Sequence, residues 1–197
     1  MDFLGVDVKE LITNLGLWGV FGIIFAESSI IFFLPGDSLL FIAGLLASQQ
    51  LYSVVYLIIG SLIAAVIGNN FGYGIGRRFG EGLFEKDKFL FKKEYSIKAH
   101  HFFEKYGALT IIMARFIPVI RTFAPIVAGI GKMNYRLFLI YNVIGALIWI
   151  LLLSLAGYYL GEIVPNVDRY LLPIVAGIII LSVLPGIVAY LKNRKQS

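Results

Sequence analysis

Five apolar stretches divide the chain, running roughly over 15–47, 51–76, 106–131, 137–160 and 170–191, with polar or charged residues gathered between them. The second, fourth and fifth are unbroken and approach or exceed the ~20 residues a helix needs to cross a bilayer. The first and third contain internal breaks. Pro35 and Gly36 interrupt one, and the segment from Pro118 to Pro125 interrupts the other. Mean hydropathy of +0.86 and 59% hydrophobic residues over 197 positions exceed what a soluble domain carries, so the pattern describes one integral membrane domain.

Basic residues orient the spans. The stretch 77–105 holds Arg77, Arg78, Lys86, Lys88, Lys92, Lys93 and Lys98, and the C-terminus holds Lys192, Arg194 and Lys195, which predicts that both are cytoplasmic. Counting back, 170–191 and 137–160 each span, and Lys132 with Arg136 returns to the cytoplasmic side. The segment 106–131 then begins and ends on one side and must turn back at its proline-rich centre. It is a re-entrant helical hairpin.

An internal repeat extends this to the first half. At an offset of 85 residues, Ala43-Gly44 falls on Ala128-Gly129, Gly60 to Ile63 on Gly145 to Ile148, and Gly72-Tyr73 with Gly76 on Gly157-Tyr158 with Gly161. The link 45–52 has no Lys or Arg, whereas 130–137 has both, so the two hairpins should open to opposite faces. The expected fold is an all-α polytopic inverted repeat, each unit a re-entrant hairpin plus a transmembrane helix: repeat 1 over about 15–80, the cytoplasmic loop about 77–105, repeat 2 about 106–162, and a further helix about 170–191. Discontinuous helices in inverted repeats mark secondary transporters with a site near the midplane.

Charge within the apolar stretches is sparse. Glu27 and Asp37 are alone between Leu11 and Gly76, and Arg115 and Arg121 are alone between Lys105 and Lys132. Ionisable groups at such depth are costly and by default functional. A purely structural ion pair is the alternative, and it fits less well because buried pairs add little net stability. Asp37-Ser38 and Thr122 stand where N-caps would begin the second limb of each hairpin, aiming two helix N-termini at the bilayer centre. With two guanidiniums beside them, a phosphate is the natural guest and a carboxylate fits almost as well. Ionised Glu27 and Asp37 would repel that guest, which motivates protonation during a cycle.

Other features read plainly. Gly68, Gly72, Gly76 and Gly80 line one helix face for close packing. Trp18, Tyr52, Tyr135 and Trp149 suit interfacial belts and packing. Residues 1–10 have the look of a short amphipathic helix at the interface and lack a signal peptide's basic start, so no cleavage is expected, and they cast no vote on the sidedness of the N-terminus. With no cysteine, and with His100 and His101 in the charged loop, no metal or nucleophilic constellation assembles within the membrane, so neither an enzyme nor a cofactor is expected. The +5 charge follows topology and not nucleic acid.

Glu27, Phe33-Leu34-Pro35-Gly36-Asp37, Gly72-Tyr73-Gly74-Ile75-Gly76-Arg77, Arg115-Phe116-Ile117-Pro118, Arg121, Pro125 and Ala128-Gly129 together resemble the DedA family, also called SNARE-associated Golgi or VTT-domain proteins, over about residues 15 to 165. The resemblance implies lipid translocation across the bacterial cytoplasmic membrane, with undecaprenyl phosphate recycled to the cytoplasmic leaflet as the first candidate and phosphatidylethanolamine or general phospholipid scrambling as the alternative. It implies a link to the proton motive force and essential roles for Glu27, Asp37, Arg115 and Arg121. Asn69 departs from the family, which often has an acid there, so that carboxylate has no counterpart here. The partners expected are thus a lipid and protons, and an oligomer is compatible. Arg115, Arg121, Thr122 and Ser38 would bind the head group while Glu27 and Asp37 gate or couple. A proton-coupled antiporter of small cations or drugs and a structural assembly factor are the rival classes.

Overall fold

The computed structural model describes residues 2–3, 6–31, 34, 36–79 and 107–163. The loop 80–105 and the C-terminal span 170–191 expected from the sequence lie outside the described residues, as does Pro35. Short strands β1 (Asp2–Phe3) and β2 (Val6–Asp7) pair antiparallel and lead into α1 (Val8–Ser29). The amphipathic helix expected over residues 1–10 therefore starts only at Val8. The helix α1 itself breaks at Gly16, whose φ of 59° is open to glycine and strained for other residues. The helices α2 (Gly36–Ser48), α3 (Val54–Phe79), α4 (Thr110–Ala114, after a 3-10 turn at Gly107–Leu109), α5 (Pro118–Ile130) and α6 (Tyr135–Ile163) complete the described fold.

Only α3 and α6, with 26 and 29 residues, are long and apolar enough to cross a membrane among the described residues. At ~1.5 Å per residue they reach about 39 and about 43 Å, more than the ~30 Å hydrocarbon layer. Their faces are inverted relative to a soluble protein. Tyr56, Ile59, Ile63 and Ile67 on α3 and Ile140, Ile144, Ile148 and Leu152 on α6 point outward, while Ser61, Asn69, Asn142 and Ser154 are buried. Exposed isoleucine stripes over buried amides and hydroxyls match an apolar solvent outside.

The 13-residue helices α2 and α5 are too short to span and are almost wholly enclosed. They pack crosswise, α2 chiefly against α6 and α5 chiefly against α3. Glycines set how closely the axes approach. Gly44 lies on the Ser154 carbonyl and Gly157 on that of Phe41, while Gly129 lies on the Tyr73 carbonyl and Gly76 on that of Ile126. Gly68 and Gly72 face α1 through the carbonyls of Phe25 and Ser29, so three members of the expected glycine face serve close packing, and Gly80 lies outside the described residues. One apolar core joins Val20 and Ile24, Leu39, Leu40 and Ile42, Leu57 and Ala65, and Trp149 and Ile150. A second gathers Tyr73, Ile111, Ala114, Ala128 and Phe138.

The break before α5 follows from its residues. Arg115, Phe116 and Ile117 close α4 with hydrogen bonds to Ile112, Met113 and Ala114. Ile117, preceding proline, is driven to an extended conformation (φ −122°, ψ 108°), and Pro118 opens α5 at a position where no N–H is needed. Two sequence expectations are corrected. Pro125 does not break the chain but lies inside α5, as membrane helices tolerate when neighbours enclose them. Thr122 is not an N-cap, since the helix begins four residues earlier with Ile117 at that position; Asp37 and Ser38 likewise sit in the first turn of α2, after Gly36.

Candidate functional site

Each of the six described helices sends a polar group to one buried point. Glu27 and Ser28 come from the end of α1, Asp37 from the start of α2, Asn69 from the middle of α3, Arg115 from the end of α4, Arg121 from the first turns of α5, and Asn142 and Trp149 from α6. Chain breaks make this convergence possible. Glu27 and Arg115 precede the breaks, while Asp37 and Arg121 follow them, so four charges meet although none lies near another in a continuous helix.

Arg121 is bound on both prongs. Its Nη1 donates to Asp37 Oδ1 at 2.7 Å and its Nη2 to Glu27 Oε1. Trp149 braces this pair, its Nε1 donating to Asp37 Oδ1 at 2.9 Å and its ring lying 5.4 Å from the Arg121 guanidinium carbon. The sequence suggested belts or packing for Trp149; here its indole is part of the charged site. Thr122 donates to the Glu27 carbonyl at 3.3 Å, tying α5 to α1. Gly36 leaves the slot that the Glu27 carboxylate fills, for a Cβ there would collide with Oε2. Ser38 is buried at the start of α2.

Arg115 is held differently. Its Nη2 donates to Asn142 Oδ1 at 2.7 Å, and its guanidinium carbon lies 5.9 Å from the Trp149 ring. Asn142 in turn donates to the Val66 carbonyl at 3.3 Å. The Asn69 amide touches three of these groups: its nitrogen donates to Asn142 Oδ1 at 2.8 Å, and turned over, its oxygen would accept from Arg115 Nη2 at 2.9 Å and its nitrogen donate to the Ser28 carbonyl at 2.8 Å. Arg115 pairs with no carboxylate among the described residues. Only 4% exposed, it is a buried guanidinium whose charge is met by neutral amides and a ring face.

Glu27, Ser28, Asn69, Arg115, Arg121 and Trp149 enclose about 10 Å³, the room of a single water. Glu27 Oε2 and the Nε groups of Arg115 and Arg121 are buried without a hydrogen-bond partner among the described residues. The structure thus brings together the four charged residues read from the sequence, with one refinement: the acids bind Arg121 alone. Asn69, Asn142 and Trp149 are the contributors that charge patterning misses, although two asparagines inside apolar runs were a signal for the amides.

The VTT domain model matches residues 34–159, which contain every residue of this site except Glu27 and Ser28. Protein DedA of Escherichia coli K12 is 46% identical, with all of this chain and 94% of that protein aligned. The chain belongs to the DedA family. Further relatives are the uncharacterized membrane protein Rv0364 of Mycobacterium tuberculosis H37Rv, 41% identical over 93% of this chain and 86% of that protein, and the inner membrane protein YqjA of E. coli K12, 31% identical over 73% and 66%. No solved structure matches. This DedA-family chain is thus a membrane protein, in accord with its two apolar helices and its inverted faces.

Proposed function

We propose that this protein is a transporter, not an enzyme, that carries an anionic, phosphate-headed lipid across the bacterial cytoplasmic membrane. Undecaprenyl phosphate is the first candidate, and phosphatidylethanolamine or another phospholipid the alternative. The observation that carries the reading is Arg115, a buried guanidinium that has no carboxylate partner among the described residues and lies beside a small polar cavity. A guanidinium whose direct partners are neutral is expensive at that depth unless an anion joins it, and a planar fork suits phosphate. A cation antiporter is disfavoured because Arg121 already holds both acids that a cationic cargo would need.

The cavity has room for one water and not for a head group, so the present arrangement is a closed state. Opening requires Arg121 to leave Glu27 and Asp37, and protonating those acids would release it. The unpartnered Oε2 of Glu27 is where a proton could sit. Protons on the two acids would then leave both arginines to the cargo's phosphate while the lipid tail stays in the bilayer.

The crosswise packing supports opposed re-entrant hairpins, α1 with α2 and α4 with α5. Shifting by 85 residues carries α2 onto α5 and the latter part of α3 onto that of α6, and each short helix packs on the span of the other unit. Each also ends alike, with a left-handed residue two positions past its end, Gln50 (φ 61°) and Lys132 (φ 51°). In this reading the Arg77, Lys132 and Arg136 end is cytoplasmic, with the C-terminus.

The test is leaflet exchange of a polyprenyl phosphate in proteoliposomes. Arg115→Lys preserves charge but loses the fork, and exchange is expected to fall by roughly tenfold or more in folded protein, the worth of one charge-assisted bond. Full exchange by the Lys variant contradicts phosphate recognition, and full exchange by Arg115→Ala favours the assembly factor.

A further inference from the structure

A second cationic feature lies outside the central site. Arg77 at the end of α3, Lys132, Met133 and Asn134 in the turn between α5 and α6, and Tyr135 and Arg136 at the start of α6 line an open cleft of about 560 Å³. That volume falls within the ~300–1,000 Å³ typical of small-molecule sites. No acid is among its described lining residues, and neither the Lys132 ammonium nor the Arg136 guanidinium bonds to any described side chain or carbonyl.

The cleft is built and not merely charged. Arg77 Nη1 donates to Tyr73 Oη at 2.8 Å, and that hydroxyl donates to the Met133 carbonyl at 2.6 Å, which fixes the guanidinium against the turn. Tyr73 is itself stacked on Phe138 with centroids 4.5 Å apart. Asn134 Oδ1 accepts from the N–H groups of Arg136 and Leu137 at 3.0 and 3.3 Å, so α6 starts at a defined point. Lys132 keeps a φ of 51° despite its Cβ, a left-handed conformation that favours glycine. Three cations, from α3, the α5–α6 turn and α6, thereby converge beside the positive end of a 29-residue helix.

We propose that this cleft binds a phosphate group, of the kind a lipid presents at the membrane boundary. It lies one short step from the central site. Along α3, Arg77 is about 12 Å from Asn69, and along α6, Arg136 is about 9 Å from Asn142, at ~1.5 Å per residue. Its use as a loading or release station for the central cargo rests on the proposed function; the binding itself does not.

The experiment is calorimetric titration of the full-length protein, in phosphatidylcholine nanodiscs, with dihexanoyl phosphatidic acid and separately with inorganic phosphate. Lys132→Gln/Arg136→Gln is expected to weaken binding at least about tenfold, while Arg78→Gln leaves it unchanged, because Arg78 lies over Phe79 at 6.0 Å and does not line the cleft. Both altered cleft residues are exposed and free of side-chain bonds to the described protein, so folding is retained. Repeating the titration in Arg115→Gln separates the sites: binding that persists there belongs to the cleft whether or not the central reading holds. Tighter binding of the phosphatidic acid assigns the site to a lipid head group, and equal affinity assigns it to phosphate from any source. Equal loss in Arg78→Gln, no loss in the double variant, or no binding of either probe overturns the proposal.

Discussion

Arg121→Ala is expected to cost about 3–5 kcal/mol of stability, the penalty for stranding a buried charge, and to abolish lipid exchange. The substitution leaves Glu27, 1% exposed, and Asp37 facing one another without the cation that both of them bind. Thermal melting of purified protein reads the first effect and proteoliposome exchange the second. Adding Glu27→Gln and Asp37→Asn removes the stranded charges, so the triple variant should regain most of the lost melting temperature without regaining exchange. An Arg121→Ala protein that melts like the wild type would show that the bridge does not hold α1, α2 and α5 together.

Gly129→Ala is expected to be comparably damaging for a different reason. A Cβ at position 129 meets the Tyr73 carbonyl, the Arg77 N–H and the Gly76 carbonyl carbon, all of them backbone that no side-chain rotation can clear. The helices α3 and α5 must then separate, at a cost of roughly 1–3 kcal/mol or more for overpacking, and the separation carries Arg121 away from its partners. Gly74→Ala is the control. It lies on α3 with open space around the added methyl, so it should be neutral or stabilising by up to ~1 kcal/mol. Yield and melting temperature of the two variants side by side check the contrast. A neutral Gly129→Ala would mean that the close approach of α3 and α5 is not required.

Charge inside apolar runs made the site legible in advance. Four ionisable residues in two long uncharged stretches had few options other than one another, and Glu27, Asp37 and Arg121 do bind directly. Which arginine the acids choose was not readable, because Arg115 and Arg121 have the same charge and lie six residues apart across a break. The choice depends on Asn69 and Asn142, which lie 73 residues apart and act through shape and hydrogen bonding rather than charge. Trp149 was ambiguous for a related reason: an indole with one polar atom suits a membrane boundary and a buried carboxylate equally. The start of α5 was misread because Thr122 is a better capping residue than Ile117, whereas the fixed φ of Pro118 decides where the helix begins. Pro125 makes no second break, because α3 and its neighbours hold α5 helical on both sides of it.

Arg115 is expected to take its anionic partner from a lipid. Mass spectrometry of lipids retained by the purified protein tests this directly, comparing wild type with Arg115→Gln against the lipid composition of the membranes from which they were extracted. The expected result is enrichment of a phosphate-headed lipid, a polyprenyl phosphate first among them, on the wild type and its loss from a folded Arg115→Gln protein. Equal retention by the two proteins, or a wild-type lipid profile indistinguishable from the source membrane, would contradict it.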